Sequence, residues 1–188
     1  MKLVYKDKTK NDWFLVSWTL SNKCNYRCEY CPDILHNGST GQPRWETVER
    51  FIKNIKVKKD VCFRVSGGEP TYWKHFIDMA KCATEQGHKF TFVSNGSLTP
   101  EYFKRIAPYT DAMMLSYHKA YANTQHFIDV INESKINTVV NMMLLPTDFD
   151  EAFKISKEIS DNTETASIEP KVIVDKTSSC LLYTSDAA

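Results

Sequence analysis

Read for the alternation of apolar and polar positions, the chain breaks into short β-like runs separated by stretches whose apolar residues return every three or four positions. The β-like runs begin near Phe14 (FLVSWTL), Val61 (VCFRVS), Lys89 (KFTFVS), Ala112 (AMMLSY), Asn137 (NTVVNMMLL) and Ala166 (ASIEPKVIV). Between them, Trp45, Val48, Ile52 and Ile55 share one helical face, and Phe76, Ile77 and Ala80 a second. Phe127, Ile128 and Ile131 form a third, and Phe149, Ala152, Phe153 and Ser156 a fourth. Each such stripe needs a sheet beneath it. Strands that alternate with helices in this way predict consecutive βα units and a parallel sheet. Six right-handed units curl into an open α/β structure, a partial (βα)6 barrel. The punctuation agrees. Thr99-Pro100 is an N-cap followed by proline at the first helical position, Gly87 closes the helix before HKF, and Pro108 ends the next one.

At 188 residues, with 42% hydrophobic and 12% aromatic residues, the chain is long enough for one domain with a sizeable core, expected over 14–179 behind an N-terminal extension of 1–13. Lys and Arg number 24 against 23 for Asp and Glu, so the net charge of +1 gives no reason to expect nucleic acid or an anionic membrane as partner. No apolar run approaches the roughly 20 residues that span a bilayer, and MKLVYKDKTKNDW lacks the apolar stretch of a secretory signal. The expectation is a cytoplasmic protein with reduced thiols. The last nine residues, CLLYTSDAA, resemble the translation of a transposon adapter used in preparing sequencing libraries. Residues 180–188 are therefore read as a non-native tail, with the natural chain expected to continue past Ser179.

Chemistry enters with KCNYRCEYC, where Cys24, Cys28 and Cys31 stand at spacings of four and three in the loop after the first strand. Three soft thiolates on one short segment can wrap a single metal centre. A structural zinc site would need a fourth ligand, which His36 could supply, although such sites draw on two separated ligand pairs. A ferredoxin-like electron carrier would need four thiolates, and Cys31-Pro32 matches the end of such a run without a fourth cysteine nearby. Cys62 and Cys82 fall in a strand and a helix, where a small buried hydrophobe is the simpler reading. In the remaining reading the missing thiol is the point: three cysteines on a [4Fe-4S] cluster leave one iron open, as catalytic metal sites do.

CNYRCEYC resembles the cluster loop of the radical S-adenosylmethionine enzymes, Cys-x-x-x-Cys-x-aromatic-Cys, with Tyr30 at the aromatic place. The resemblance implies a TIM-like partial barrel, a [4Fe-4S] cluster on Cys24, Cys28 and Cys31, and S-adenosylmethionine chelating the open iron. It also implies reductive cleavage to a 5′-deoxyadenosyl radical that abstracts hydrogen from a substrate. SGGEPTYW follows the second strand. Gly67 and Gly68 permit positive φ and close backbone approach, and Glu69 offers an acceptor for a cationic amine. A plain tight turn would use the same glycines. The segment Gly67, Gly68, Glu69 and Pro70 is similar to the family motif that binds the methionyl amino group. Ser94 and Asn95 after the third strand, and Ser116 and His118 after the fourth, are candidate cofactor contacts. Asn141 lies in a buried-strand pattern, where its amide needs a partner. Glu169 and Lys171 flank Pro170, either lining the pocket or forming a surface pair.

The resemblance runs from Phe14 to about Asp175, and its two motifs are most similar to the branch holding the molybdenum-cofactor cyclase and the peptide-maturing enzymes with extra clusters. Those relatives carry a C-terminal extension with further cysteines; this sequence departs from the pattern by stopping first, which leaves auxiliary clusters open. The implied partners are a small-molecule or peptide substrate and a reductant such as flavodoxin or ferredoxin. A glycyl-radical-enzyme activase, acting on a partner protein, has the same cysteine spacing. A non-enzymatic metal module, zinc-stapled or electron-carrying, is the alternative from another class.

Overall fold

The computed structural model describes residues 13–145 and 147–173. The extension up to residue 12, the chain from 174 on and the 180–188 tail lie outside the described residues. Within them, six strands form one sheet in sequence order, and every neighbouring pair is parallel. These are β1 (Phe14–Thr19), β2 (Val61–Ser66), β3 (Lys89–Ser94), β4 (Ala112–Tyr117), β5 (Thr138–Leu144) and β6 (Ala166–Val172). The helices between them are α1 (Trp45–Asn54), α2 (Phe76–Glu85), α3 (Pro100–Ile106), α4 (Thr124–Ser134) and α5 (Phe149–Asp161). The result is the expected partial (βα)6 barrel, with β1 and β6 as its edges. Five strands begin where the sequence pattern places them, and β5 begins one residue later than Asn137.

Alternation along the strands sorts the sheet into two unlike faces. Phe63, Val65, Phe90, Phe92, Met113, Leu115 and Val140 are fully buried on the face that meets the helices. There Phe76 of α2 meets Phe90 and Phe92 edge-on at 5.7 and 5.3 Å, and Phe127 of α4 meets Tyr117 at 5.0 Å. The intervening residues, Arg64, Thr91, Ser116 and Asn141 among them, point to the other face and are only partly covered. The core therefore lies between sheet and helices, as the helical stripes require.

Three stripes pack as expected, with Val48, Ile52, Phe76, Ala80, Phe127, Ile128 and Ile131 buried. The fourth needs correction. Phe149 and Phe153 stand 65% and 64% exposed, while α5 seats on the sheet through Ala152, Ile155 and Ile159. A seam at i, i+3 and i+7 defines the buried line, and the two phenylalanines lie on its flank. Thr99 caps α3 by accepting from the Tyr102 amide, with Pro100 in the first turn. Among the described residues no helix is long and apolar enough to cross a membrane.

Candidate metal and cofactor site

The cysteine loop leaves the C-terminal end of β1 and immediately crosses the turn that follows β2. The Gly68 amide donates to the Ser21 carbonyl at 2.8 Å, and the Glu69 amide to the Lys23 carbonyl at 2.8 Å. A Cβ on Gly67 would meet the Ser21 oxygen at 2.3 Å, and one on Gly68 the Lys23 oxygen at 2.5 Å. Gly67 also holds φ at +142°, which side-chain-bearing residues rarely adopt. The close approach that the glycine pair permits is thus to the chain's own backbone: the two motifs form one unit.

Glu69 locks this unit to β3. It is 1% exposed, and its Oε1 accepts from the Thr71 amide (3.1 Å), the Thr71 hydroxyl (2.6 Å) and the Ser94 hydroxyl (2.9 Å). Its Oε2 accepts from the Asn95 amide at 2.6 Å. Burial pushes the Glu69 pKa above the usual carboxylate range, and the donors from Asn95, Thr71 and Ser94 pull against it. Pro70 opens the short 3-10 turn, Pro70–Tyr72, that delivers the Thr71 donors. The Ser94 hydroxyl, 2% exposed, donates to Glu69 and accepts from the Gly96 amide.

Asn95 reaches back to the cysteines. Its Nδ2 donates to Asn25 Oδ1 at 2.8 Å and lies 3.9 Å from Cys24 Sγ, while Asn25 donates to the Ser97 hydroxyl at 3.0 Å. From the end of β4, His118 Nδ1 lies 2.5 Å from the Tyr30 hydroxyl and 3.5 Å from Cys28 Sγ. Tyr26 stacks on Tyr121 at 4.5 Å, and the Tyr121 hydroxyl donates to the Arg27 carbonyl. The loops after β2, β3 and β4 all grip the cysteine loop. Burial lowers the His118 pKa to about 4, so its imidazole is neutral near pH 7. Burial raises both the Cys24 and Cys28 thiols, which stay protonated at neutral pH unless a cation displaces the proton.

Sequence reasoning missed Asn22. Its Nδ2 donates to the Ile34 carbonyl (2.7 Å), Asn37 Oδ1 (2.7 Å) and the Ser39 hydroxyl (2.9 Å), and its Oδ1 accepts from the Thr40 amide and hydroxyl. This one amide folds the segment 34–40 beneath the cysteine loop. The available signal was a polar pair, Ser21-Asn22, between a strand and the first cysteine. His36, the candidate fourth zinc ligand, is 6% exposed and places Nε2 3.1 Å from the Cys31 carbonyl. Of the other expected contacts, Ser116 lies on the inner face in register with Asn141, and Lys171 Nζ pairs with Glu169 at 3.3 Å.

Among the described residues no trio of Cys, His, Asp and Glu stands in metal-binding geometry, so the thiols must turn toward one another to share a centre. The donor set fits an iron–sulfur centre. The Tyr26 amide (3.4 Å from Cys24 Sγ), Asn95 Nδ2 and His118 Nδ1 are nitrogen groups placed against sulfur, and hydrogen bonds of that kind tune such centres.

A parallel partial barrel with a three-cysteine loop at the C-terminal ends of its strands defines a cofactor-dependent class of barrel. The family model for the Radical SAM superfamily matches residues 18–158, and the chain belongs to that superfamily. A nucleotide dehydratase dependent on S-adenosylmethionine, from Thermoplasmatales archaeon (strain ISO4-H5), is 35% identical over 50% of this chain and 34% of its own. The GTP 3',8-cyclase of Haemophilus ducreyi is 31% identical over 48% of this chain and 28% of its own. The chain thus spans about a third or less of the length of these curated relatives. In fold it is similar to Streptococcus suis SuiB bound to S-adenosylmethionine, with a TM-score of 0.59 and 19% identity over 87% of this chain and 41% of that one.

Proposed function

We propose that this chain is the core of a radical S-adenosylmethionine enzyme in which Cys24, Cys28 and Cys31 hold a [4Fe-4S] cluster and the open iron takes S-adenosylmethionine. When bound, the pair supplies one-electron cleavage of the sulfonium and the hydrogen abstraction that follows. The observation that carries the reading is the interlock of the cysteine loop with the Gly67-Gly68-Glu69 turn, which joins the metal-ligating and cofactor-binding segments into one rigid mouth. Each neighbouring group then has a role. Glu69 Oε2 accepts from Asn95 and keeps capacity for the methionyl ammonium. Ser94 acts through Glu69, which it holds in place. Asn95 and His118 fix Cys24 and Cys28, while Tyr30 and Ser116 face the cofactor.

The electron comes from a reductant such as flavodoxin or ferredoxin. A cleft of about 420 Å³ is lined by Cys24 together with Lys23, Arg27, His36 and Gln42, and gives the reductant an approach. Three cysteines on one short loop, rather than two separated ligand pairs, speak against a zinc staple.

Anaerobically purified protein tests the proposal. It is expected to bind iron with sulfide and, on reduction, to release 5′-deoxyadenosine from S-adenosylmethionine. Cys28→Ala should lose both properties together. A Cys28→Ala protein that still makes 5′-deoxyadenosine, or a wild type that carries stoichiometric zinc without colour, would overturn it.

A further inference from the structure

The inner face of the sheet is unlike the interior of closed barrels of this kind, which is filled by layers of Val, Ile and Leu. By register it interleaves Ser17 and Thr19 from β1, Arg64 and Ser66 from β2, Thr91 from β3, Ser116 from β4, Asn141 from β5 and Glu169 from β6 with the apolar Cys62, Val93, Met114, Val139 and Met143. Two of these side chains have unmet hydrogen-bonding capacity. The Nε of Arg64 and the Oδ1 of Asn141 are buried and have no partner. The Arg64 side chain makes no hydrogen bond or ion pair within the described residues. Asp111, whose charge is felt at Cys62 together with that of Arg64, is engaged by the Phe90 amide and Lys89. A guanidinium drawn partly out of water with no counter-charge is costly to the fold, so its retention points to a ligand.

We propose that Arg64 and Asn141 anchor the substrate on this inner wall, and that the substrate carries an anionic group, a carboxylate or a phosphate, held by Arg64 while a hydrogen-bond donor of the same molecule meets Asn141. The proposal rests on the reading that the barrel mouth holds the cofactor. Arg64 lies two residues before the last residue of β2, roughly 7 Å along the strand below it, and so inward of the Gly67-Gly68 turn. The planar guanidinium fork suits either anion, since both present paired oxygens. Atoms on the substrate between its anion and its exposed end would then lie toward the mouth.

Thermal unfolding, followed while sodium phosphate or sodium acetate replaces chloride at constant ionic strength, tests this. A ligand that binds only the folded state raises the midpoint, with a stabilisation that grows as RT ln(1 + L/Kd), L being the free ligand concentration. The wild-type midpoint should rise with one of the two anions, and the rise should vanish in Arg64→Met. A phosphate response assigns a phosphoryl group to the substrate, and an acetate response a carboxylate. Absence of any response, or equal responses in wild type and Arg64→Met, overturns the subsite. Should Arg64→Met fail to fold, Arg64→Lys keeps stem and charge but loses the fork, and the Kd fitted to its midpoint shifts should rise about tenfold; an unchanged value overturns the assignment. The measurement uses cluster-free protein as well as loaded protein. Its failure therefore leaves iron binding and 5′-deoxyadenosine release intact, and their failure leaves it intact.

Discussion

The two faces of the sheet come from the same strands, often from adjacent residues, yet they meet opposite fates. On the outer face Phe63, Phe90 and Phe92 are completely buried against aromatic and aliphatic side chains of the helices. One residue away, Arg64 and Thr91 lie on the other face and are only partly covered, and the Arg64 Nε is left without a partner. The difference separates folding from binding within a six-residue strand: stability is drawn from one side, which leaves the other side available to a ligand. Phe92→Ala probes the outer side and carries the largest expected effect, a loss of about 3–5 kcal/mol in denaturant unfolding. A loss below about 1 kcal/mol, the range of ordinary surface changes, would erase the distinction between the faces.

The mouth combines both characters, because its packing is structural and its product is a site. Gly68→Ala forces a Cβ to within 2.5 Å of the Lys23 carbonyl oxygen, a backbone atom that no side-chain rotation can relieve. Overpacking of this kind costs about 1–3 kcal/mol, and here it should also lower the iron bound per chain, because the displaced segment leads straight into Cys24. Full iron loading in a destabilised Gly68→Ala protein would show that the turn and the cysteine loop are energetically separate. Asn22→Ala is expected to cost less, about 1–2 kcal/mol, since its partners in 34–40 lie near enough to solvent to find water. Limited proteolysis should then cut within 34–40 first, and a cutting pattern identical to wild type would deny Asn22 its role.

Much of this was legible in the sequence, for a physical reason. Strands such as VCFRVS and KFTFVS are short, rich in β-branched and aromatic residues and bounded by turns, so local preference and tertiary burial agree over β2 and β3. The cysteine spacing was equally plain, since ligands of one centre must be close in the chain when they share one loop. The inner face was harder to read. Arg64 and Asn141 sit in strands that look like buried core, and only the alternation of burial reveals that they lie on the partly covered face. Glu69 and the glycine pair were read toward a ligand, whereas their visible contacts, the local Thr71 apart, are with Ser21, Lys23, Ser94 and Asn95, all distant from them in sequence. Phe149 and Phe153 misled because aromatic residues suggest core, and nothing local marks which flank of α5 the sheet will cover.

The smallest expected effect is the most discriminating between the two faces. Asn141 Oδ1 is buried with no donor, an arrangement that costs about 1–3 kcal/mol relative to a satisfied or apolar group. Leucine has a similar volume and no polar atom, so Asn141→Leu removes that penalty and fills the same space. The expected change in unfolding free energy is near zero or slightly stabilising, whereas a polar group that anchored the fold would give a clear loss. Stabilisation by an apolar replacement is the mark of a residue kept for binding, because function holds groups that folding alone would discard. A loss comparable to that of Asn22→Ala would place Asn141 with the structural amides and return the inner face of β5 to the scaffold.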